Sequence, residues 1–268
     1  MRNLESPVTA RYVRYVPPPN SFGNIAEFEV RGLAAGTILE QQVRRMLADP
    51  RAKSLTETFA LHWLQIHRLP TARPSTEFFP EFHANLRQAM FDETALFCET
   101  LRLEDRSVLE FLDSDYTFVN EELAKYYGLQ EVTGKELRRV NLLPEHRRGG
   151  LLGMGSVLAL TSHTSRTSPT LRGKWILEVL LGSPPPQPPA NVSQIKEETG
   201  KQKEIQTFRE KLTQHAENAA CAACHRRMDP LGFALDNFDA VGRWRDKTGD
   251  QPLDVSGELP TGEKLNGV

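Results

Sequence analysis

Residues 221–239 read CAACHRRMDPLGFALDNFD. Two of the chain's three cysteines stand here, separated by two residues, and a histidine follows the second at once. Two thiols at this spacing can each add across a vinyl group of one haem, and the neighbouring imidazole is then placed to reach the iron from the same face. Cys221 and Cys224 are therefore expected to form the thioethers of a haem c, with His225 as the proximal iron ligand. Two other uses of the triplet stand beside this one. A zinc site needs four ligands, and the chain offers no second C-x-x-C or H-x-x-x-H, leaving Cys98 or a distant histidine to complete a tetrahedron. A thioredoxin-like dithiol needs a helix start after a strand in a βαβ pattern, which the sequence does not carry.

The residues around the triplet supply candidates for the rest of a haem site. Asp229-Pro230 is expected to turn the chain, Gly232 to permit close approach to a porphyrin, and Phe233, Phe238 and Trp244 to wall off its edge or to fill a small core. Candidate distal ligands are His163, Met154 and His215. Met228 lies too close to the proximal side to reach the opposite face. Arg166 and Arg172 are candidates for pairing with a propionate, by the match of guanidinium to carboxylate, and each also reads as an ordinary surface arginine. Asp236, Asp239, Arg243 and Arg245 read as a solvated or salt-bridged surface.

Upstream, Gln206 to Asn218 has helical spacing and delivers the chain into the cysteines. Before it, SPPPQPPANV (183–192) is a polyproline segment, read as a strap, and KEETGKQKE is a polar run without assigned structure. The segment RRGGLLGMGSVLALTSHTSRTSPTLRGKWILEVLLG holds a glycine-rich entry, a Ser/Thr loop and a helix from Leu171 to Leu181. Helical periodicity also marks Ile38 to Leu47, ended by Asp49-Pro50, then Leu55 to Ile66, Phe82 to Leu103, Ser107 to Leu112, and Asn120 to Tyr127 stopped by Gly128. Cys98, alone within FDETALFCETL, reads as a small buried hydrophobe. The first 33 residues, with ARYVRYVPPPNSFGNIAEFEVRG, read as two short strands around a turn, which two strands alone cannot stabilise.

The chain has 268 residues, 39% of them hydrophobic and 25% charged, with a formal net charge of −2. This composition suits a water-soluble globular protein and gives no electrostatic ground for binding nucleic acid. No run approaches the roughly 20 apolar residues that span a bilayer, and the start lacks the apolar stretch of a secretory signal.

CAACHRRMDPLGFALDNFDAVGRWRD, with DVSGELPTG behind it and RRGGLLGMGSVLALTSHTSRTSPTLRGKWILEVLLGSPPPQPP ahead of it, resembles the cytochrome-associated domains of unknown function found in large planctomycete-type multidomain proteins. QVRRMLADPRAKSLTETFALHWL and EDRSVLEFLDSDYTFVNEELAKYYG resemble the helical domain that precedes them. ARYVRY and AEFEV resemble the closing strands of discoidin-type carbohydrate-binding modules. The resemblance implies a mainly α chain: residues 1–35 a β-hairpin remnant, 36–148 a helical domain, and 149–268 a small, mostly helical, cytochrome c-like domain with the strap at 183–192. It implies a c-type haem protein exported across the cytoplasmic membrane, working in the periplasm or another extracytoplasmic space. Since the chain carries no export signal, it is expected to be a fragment or shortened reading frame of a longer exported protein.

The function expected is that of an electron-transfer module. Its partner would be a redox protein or another domain of the same longer protein, and polysaccharide is a candidate substrate. Two alternatives stand: a haem peroxidase-like enzyme with an open distal face, and a non-redox structural or glycan-binding module whose Cys/Cys/His site holds zinc or nothing. Serine hydrolase chemistry has no support, since no G-x-S-x-G elbow occurs.

Overall fold

The computed structural model describes residues 35–186 and 208–267. The expected N-terminal hairpin, most of the polyproline strap and the polar run after it lie outside the described residues. The chain divides into two units after Ala52. In the first, α1 (Ala35–Leu47) forms where periodicity places it, with Glu40 and Arg44 paired one turn apart at 3.0 Å. Its end is fixed by Asp49, whose carboxylate accepts from the backbone and guanidinium of Arg51.

In the second unit the run after Pro50 is less regular than its spacing implies. A wide π-type turn (Leu55–Ala60) leads into α2 (Leu61–Trp63), and Gln65 at φ 62° redirects the chain into a 3-10 turn (Ile66–Thr71). Helix α3 (Ala84–Leu103) is the long scaffold. Leu86, Ala89, Met90, Glu93, Thr94, Phe97, Cys98 and Leu101 recur every three or four residues and are all buried, which places one face against the interior. Burial pushes the Cys98 thiol up to about 12, so it serves as the expected small hydrophobe.

A short α4 (Glu110–Asp113) leads to strand β1 (Tyr116–Val119). Helix α5 (Glu121–Tyr127) begins where the Asn120 side chain accepts from Leu123 N at 2.9 Å, and it ends at Gly128, φ 75°. Strand β2 (Arg138–Asn141) pairs antiparallel with β1, Tyr116 opposite Asn141 and Val119 opposite Arg138. This small sheet was not legible from periodicity. All four residues of β1 are buried, so they show no alternation, whereas β2 carries Arg138 and Arg139 on an exposed edge.

Helix α6 (Gly155–Leu160) is short and buried, and α7 (Pro169–Trp175) follows with Ser168 as its cap and Pro169 in its first turn. A second π-type turn (Ile176–Leu180) replaces the rest of the expected helix. After the strap come α8 (Phe208–Ala216) and α9 (Ala219–Phe233), then two small hairpins, β3 (Lys247–Thr248) with β4 (Gln251–Pro252) and β5 (Ser256–Glu258) with β6 (Lys264–Asn266). The described part is thus mainly helical with small two-stranded sheets.

Packing in the second unit does not stop near residue 148. One core cluster joins Leu61, Phe97 and Tyr116 to Leu151, Trp175 and Leu235, and another joins Met90 and Leu123 to Ala159 and Val241. Among the described residues no helix is long and apolar enough to cross a membrane.

Candidate functional site

Helix α9 carries the Cys/Cys/His triplet. A helix turns about 100° per residue, so Cys221, Cys224 and His225, at positions i, i+3 and i+4, share one face. All three cysteines of the chain are thiols, and Cys221 and Cys224 are partly exposed. The Cys224 thiol lies 3.9 Å from the carbonyl oxygen of Pro186, at the start of the strap.

Four residues beyond His225 on the same face is Asp229, and its Oδ2 lies 2.9 Å from His225 Nδ1. The other carboxylate oxygen accepts from Thr170 Oγ1 of α7 at 2.9 Å. Both side chains are largely shielded, 15% and 7% exposed. A carboxylate accepts only, so in the neutral ring this contact places the proton on Nδ1 and leaves Nε2 as the nitrogen with a lone pair to offer. His215 of α8 meets the His225 ring edge to face at 5.2 Å between centroids. Among the described residues no group of three or more His, Cys, Asp or Glu converges to hold a metal ion.

Backbone fit fixes α9 in place. A Cβ built on Gly173 of α7 would stand 1.8 Å from the carbonyl oxygen of Met228, and one on Gly232 would stand 1.8 Å from that of Pro169. The helices run past each other in opposite senses, with glycine under a carbonyl at two points one turn apart. Gly232 therefore accommodates α7, a correction to its expected place under a porphyrin. The turn expected at Asp229-Pro230 is also absent: Pro230 lies inside α9, which continues to Phe233. Proline removes one intrahelical hydrogen bond. The packed α7 and the hairpin β5–β6, whose Gly257 lies against Pro230, hold the helix nonetheless.

Of the other sequence candidates, His215 comes to the triplet, and Phe233 stands on the same helix, buried beneath the Arg209 guanidinium at 4.0 Å. Arg166 stacks on Phe208 of α8 at 3.9 Å. Arg172 is fully buried and used by the chain itself. It donates to the carbonyls of Leu235, Phe238 and Asp239 at 2.7, 2.8 and 2.6 Å, closing the turn after α9, and burial lowers its pKa to about 10. Met154 is buried in the core, its sulfur 3.5 Å from Thr94 Oγ1. His163 is exposed on the loop between α6 and α7. Phe238 is fully buried and meets Trp244 edge to face at 5.2 Å, which is the core-filling use of these aromatics. Arg243 and Arg245 pair with Asp239 and Asp236 at 3.3 and 3.0 Å, as their charges implied.

The residues that sequence reasoning missed are Asp229, read as a turn former, and Thr170. The four-residue spacing of His225 and Asp229 was a sufficient signal, provided that the helix is taken through Pro230.

Residues 29–129 match the family model PSD4, a protein of unknown function (DUF1592), and residues 148–248 match PSCyt3, a protein of unknown function (DUF1588). Two separate stretches of the chain are thus each similar to a domain of unknown function, in the order that the resemblance implied. No curated protein and no solved structure matches the chain.

Proposed function

We propose that the chain is a c-type cytochrome module, binding one haem covalently through Cys221 and Cys224 and transferring electrons as part of an exported protein. The observation that carries this reading is the common face of the two thiols and His225 on α9, together with the carboxylate on Nδ1 that leaves Nε2 available. The donor set fits the group: two thiols for two thioethers and one neutral imidazole for iron. Bound there, a haem supplies a one-electron couple.

The chain's own residues do the rest. Asp229 orients the imidazole and makes it a more basic donor, and Thr170 holds Asp229 from the neighbouring helix. The glycine contacts between α7 and α9 keep that arrangement from sliding. A redox protein or another domain of the same longer protein would exchange the electrons, in the periplasm or an equivalent space, and an oxidative step on polysaccharide is the candidate destination.

A peroxidase-like reading draws on the same Asp229 contact, because a more basic proximal ligand donates more electron density to iron. A high-spin ferric spectrum with peroxide turnover separates it from electron transfer, for which sharp reduced α and β bands are expected.

The test is expression in a bacterial periplasm with haem-attachment machinery, followed by a pyridine haemochrome spectrum and haem staining of a denaturing gel. Covalent haem is expected in the unaltered chain, with a shifted α band in Cys224→Ala and no covalent haem when both cysteines are alanine. Folded, exported protein that stains free of haem would overturn the reading.

A further inference from the structure

A cleft of the second unit lies between the 68–74 segment and the 159–164 segment, with a volume of about 210 Å³ and none of the triplet in its lining. We propose that it binds a small oxyanion, the carboxylate or phosphate group of a molecule of a few heavy atoms. This goes beyond the haem reading and does not rest on it.

Charge is the first support. Arg68 and Arg73 line the cleft and are exposed, His163 stands opposite, and among the described residues no aspartate or glutamate lines it. Arg138, Arg148 and Arg172 donate to backbone carbonyls, whereas Arg102, Arg106, Arg139, Arg147, Arg243 and Arg245 all have acidic partners. Arg68 and Arg73 have none among the described residues.

Orientation is the second support. Arg68 Nη1 donates to Gln65 Oε1 at 3.1 Å, and Arg73 Nη1 donates to the carbonyls of Pro70 and Ala72 at 2.8 and 2.9 Å. One nitrogen of each fork is thereby anchored to its own segment. The remaining N–H groups are the kind that recognise an oxyanion in pairs. Two guanidinium groups lining one cleft give it positive charge, which attracts an anion bound there.

The walls are fixed, which keeps the cost of ordering low. Ser75 N donates to Thr164 O at 2.7 Å, joining the two segments, and Arg87 donates to Ala72 O at 3.2 Å. Ser162 Oγ donates to Leu158 O at 2.8 Å and accepts from the buried Arg172 at 3.3 Å, so the loop that bears His163 is tied to α6 and α7. Ala159 and Leu160 give the cleft an apolar side. Its volume is below the roughly 300–1,000 Å³ of drug-sized sites, which selects a small ligand.

The test is an NMR titration of the isotope-labelled full chain with malonate and with inorganic phosphate, against sodium chloride at matched ionic strength. Saturable shifts of the His163 and Thr164 amides are expected, with a Kd on the order of 1 mM for the preferred anion. Arg68→Gln and Arg73→Gln, both at exposed positions, are each expected to weaken binding about tenfold, whereas Arg68→Lys, which keeps the charge and loses the fork, weakens it less. Arg147→Gln, at an ion pair outside the cleft, should leave it unchanged. Tighter malonate binding assigns a carboxylate ligand, and tighter phosphate binding assigns a phosphate. The proposal is overturned if neither anion gives saturable shifts, if chloride reproduces them, or if both glutamine variants bind as the unaltered chain does.

Discussion

Where α7 meets α9, backbone lies against backbone, with Gly173 under the Met228 carbonyl and Gly232 under that of Pro169. Around α3 the interior is closed by side chains: Met90, Phe97 and Leu101 interlock with residues of β1, α5 and α6. The polar groups of the two regions differ in the same way. Glu93 of α3 is sealed inside, accepting from Thr117 Oγ1 and from Tyr127 Oη at 2.5 and 2.7 Å, with Tyr127 in turn accepting from Gly155 N at 2.8 Å. Arg148 is buried beside them, its guanidinium 3.6 Å from the Tyr127 ring centre and donating to the carbonyls of Gly153 and Gly242. That cluster ties the region of one family match to that of the other. Asp229 uses its two oxygens on Thr170 and His225, and the imidazole beyond it keeps a nitrogen to offer. A carboxylate closed within hydroxyls secures packing, and one that stops at an imidazole can serve chemistry.

The sharpest way to break this contrast is a single methyl group. Gly173→Ala places a carbon against a carbonyl that cannot move without its helix, and we expect a loss of about 4 kcal/mol or failure to fold. In the α3 region, Gly155→Ala meets the flexible end of Met90 at 2.6 Å and the Tyr127 hydroxyl at 2.9 Å. Its cost should be about 1–2 kcal/mol. Urea denaturation of both variants measures the difference, and equal costs would remove the distinction between rigid and adaptable contacts.

Next in size is the pH dependence of Glu93. Burial raises its carboxyl from an ordinary 4.5 to about 7, against the pull of its two hydrogen bonds and of Arg148. A raised acid holds its proton more tightly in the folded state, so folding is favoured by this group below pH 4.5 and that contribution is lost as pH rises toward 7. The loss is on the order of 3 kcal/mol. Glu93→Gln should flatten this part of the profile, as the difference between denaturation midpoints of the two proteins across pH 4 to 8 will show. An unchanged slope would mean that Glu93 ionises without penalty.

The smallest effect is expected at Asp229. Asp229→Asn keeps the shape and loses the charge on the hydrogen bond to His225, costing about 1–2 kcal/mol of stability. In the haem-loaded protein the same change weakens the proximal donor and should raise the reduction potential, measured by redox titration. A potential that does not move would make Asp229 a packing residue, like Glu93.

Much of this arrangement could be read along the chain. The spacing of Cys221, Cys224 and His225 defines the candidate site, Gly128 ends α5, and the periodicity of residues 84–103 gives α3, because each of these signals is local. The helix through Pro230, the strand at Tyr116–Val119 and the partners of Arg172 were not readable. Their explanations lie in contacts: α7 stabilises a helix that proline alone would interrupt, and burial on both faces erases the alternation of a strand. Arg172 was read as a surface cation because arginine usually is one, and only the turn carbonyls at 235, 238 and 239 make its burial tolerable.

By itself, then, the sequence determined which residues can do chemistry and that the chain is mainly helical, since residue type and short-range spacing are properties of the chain. Tertiary structure alone decided that α9 runs on through Pro230, that Thr170 reaches Asp229 and that Gly232 faces α7. It also left Arg68 and Arg73 without acidic partners beside a cleft. Those outcomes depend on which distant segment arrives at a given face, and that is settled by packing the whole interior at once.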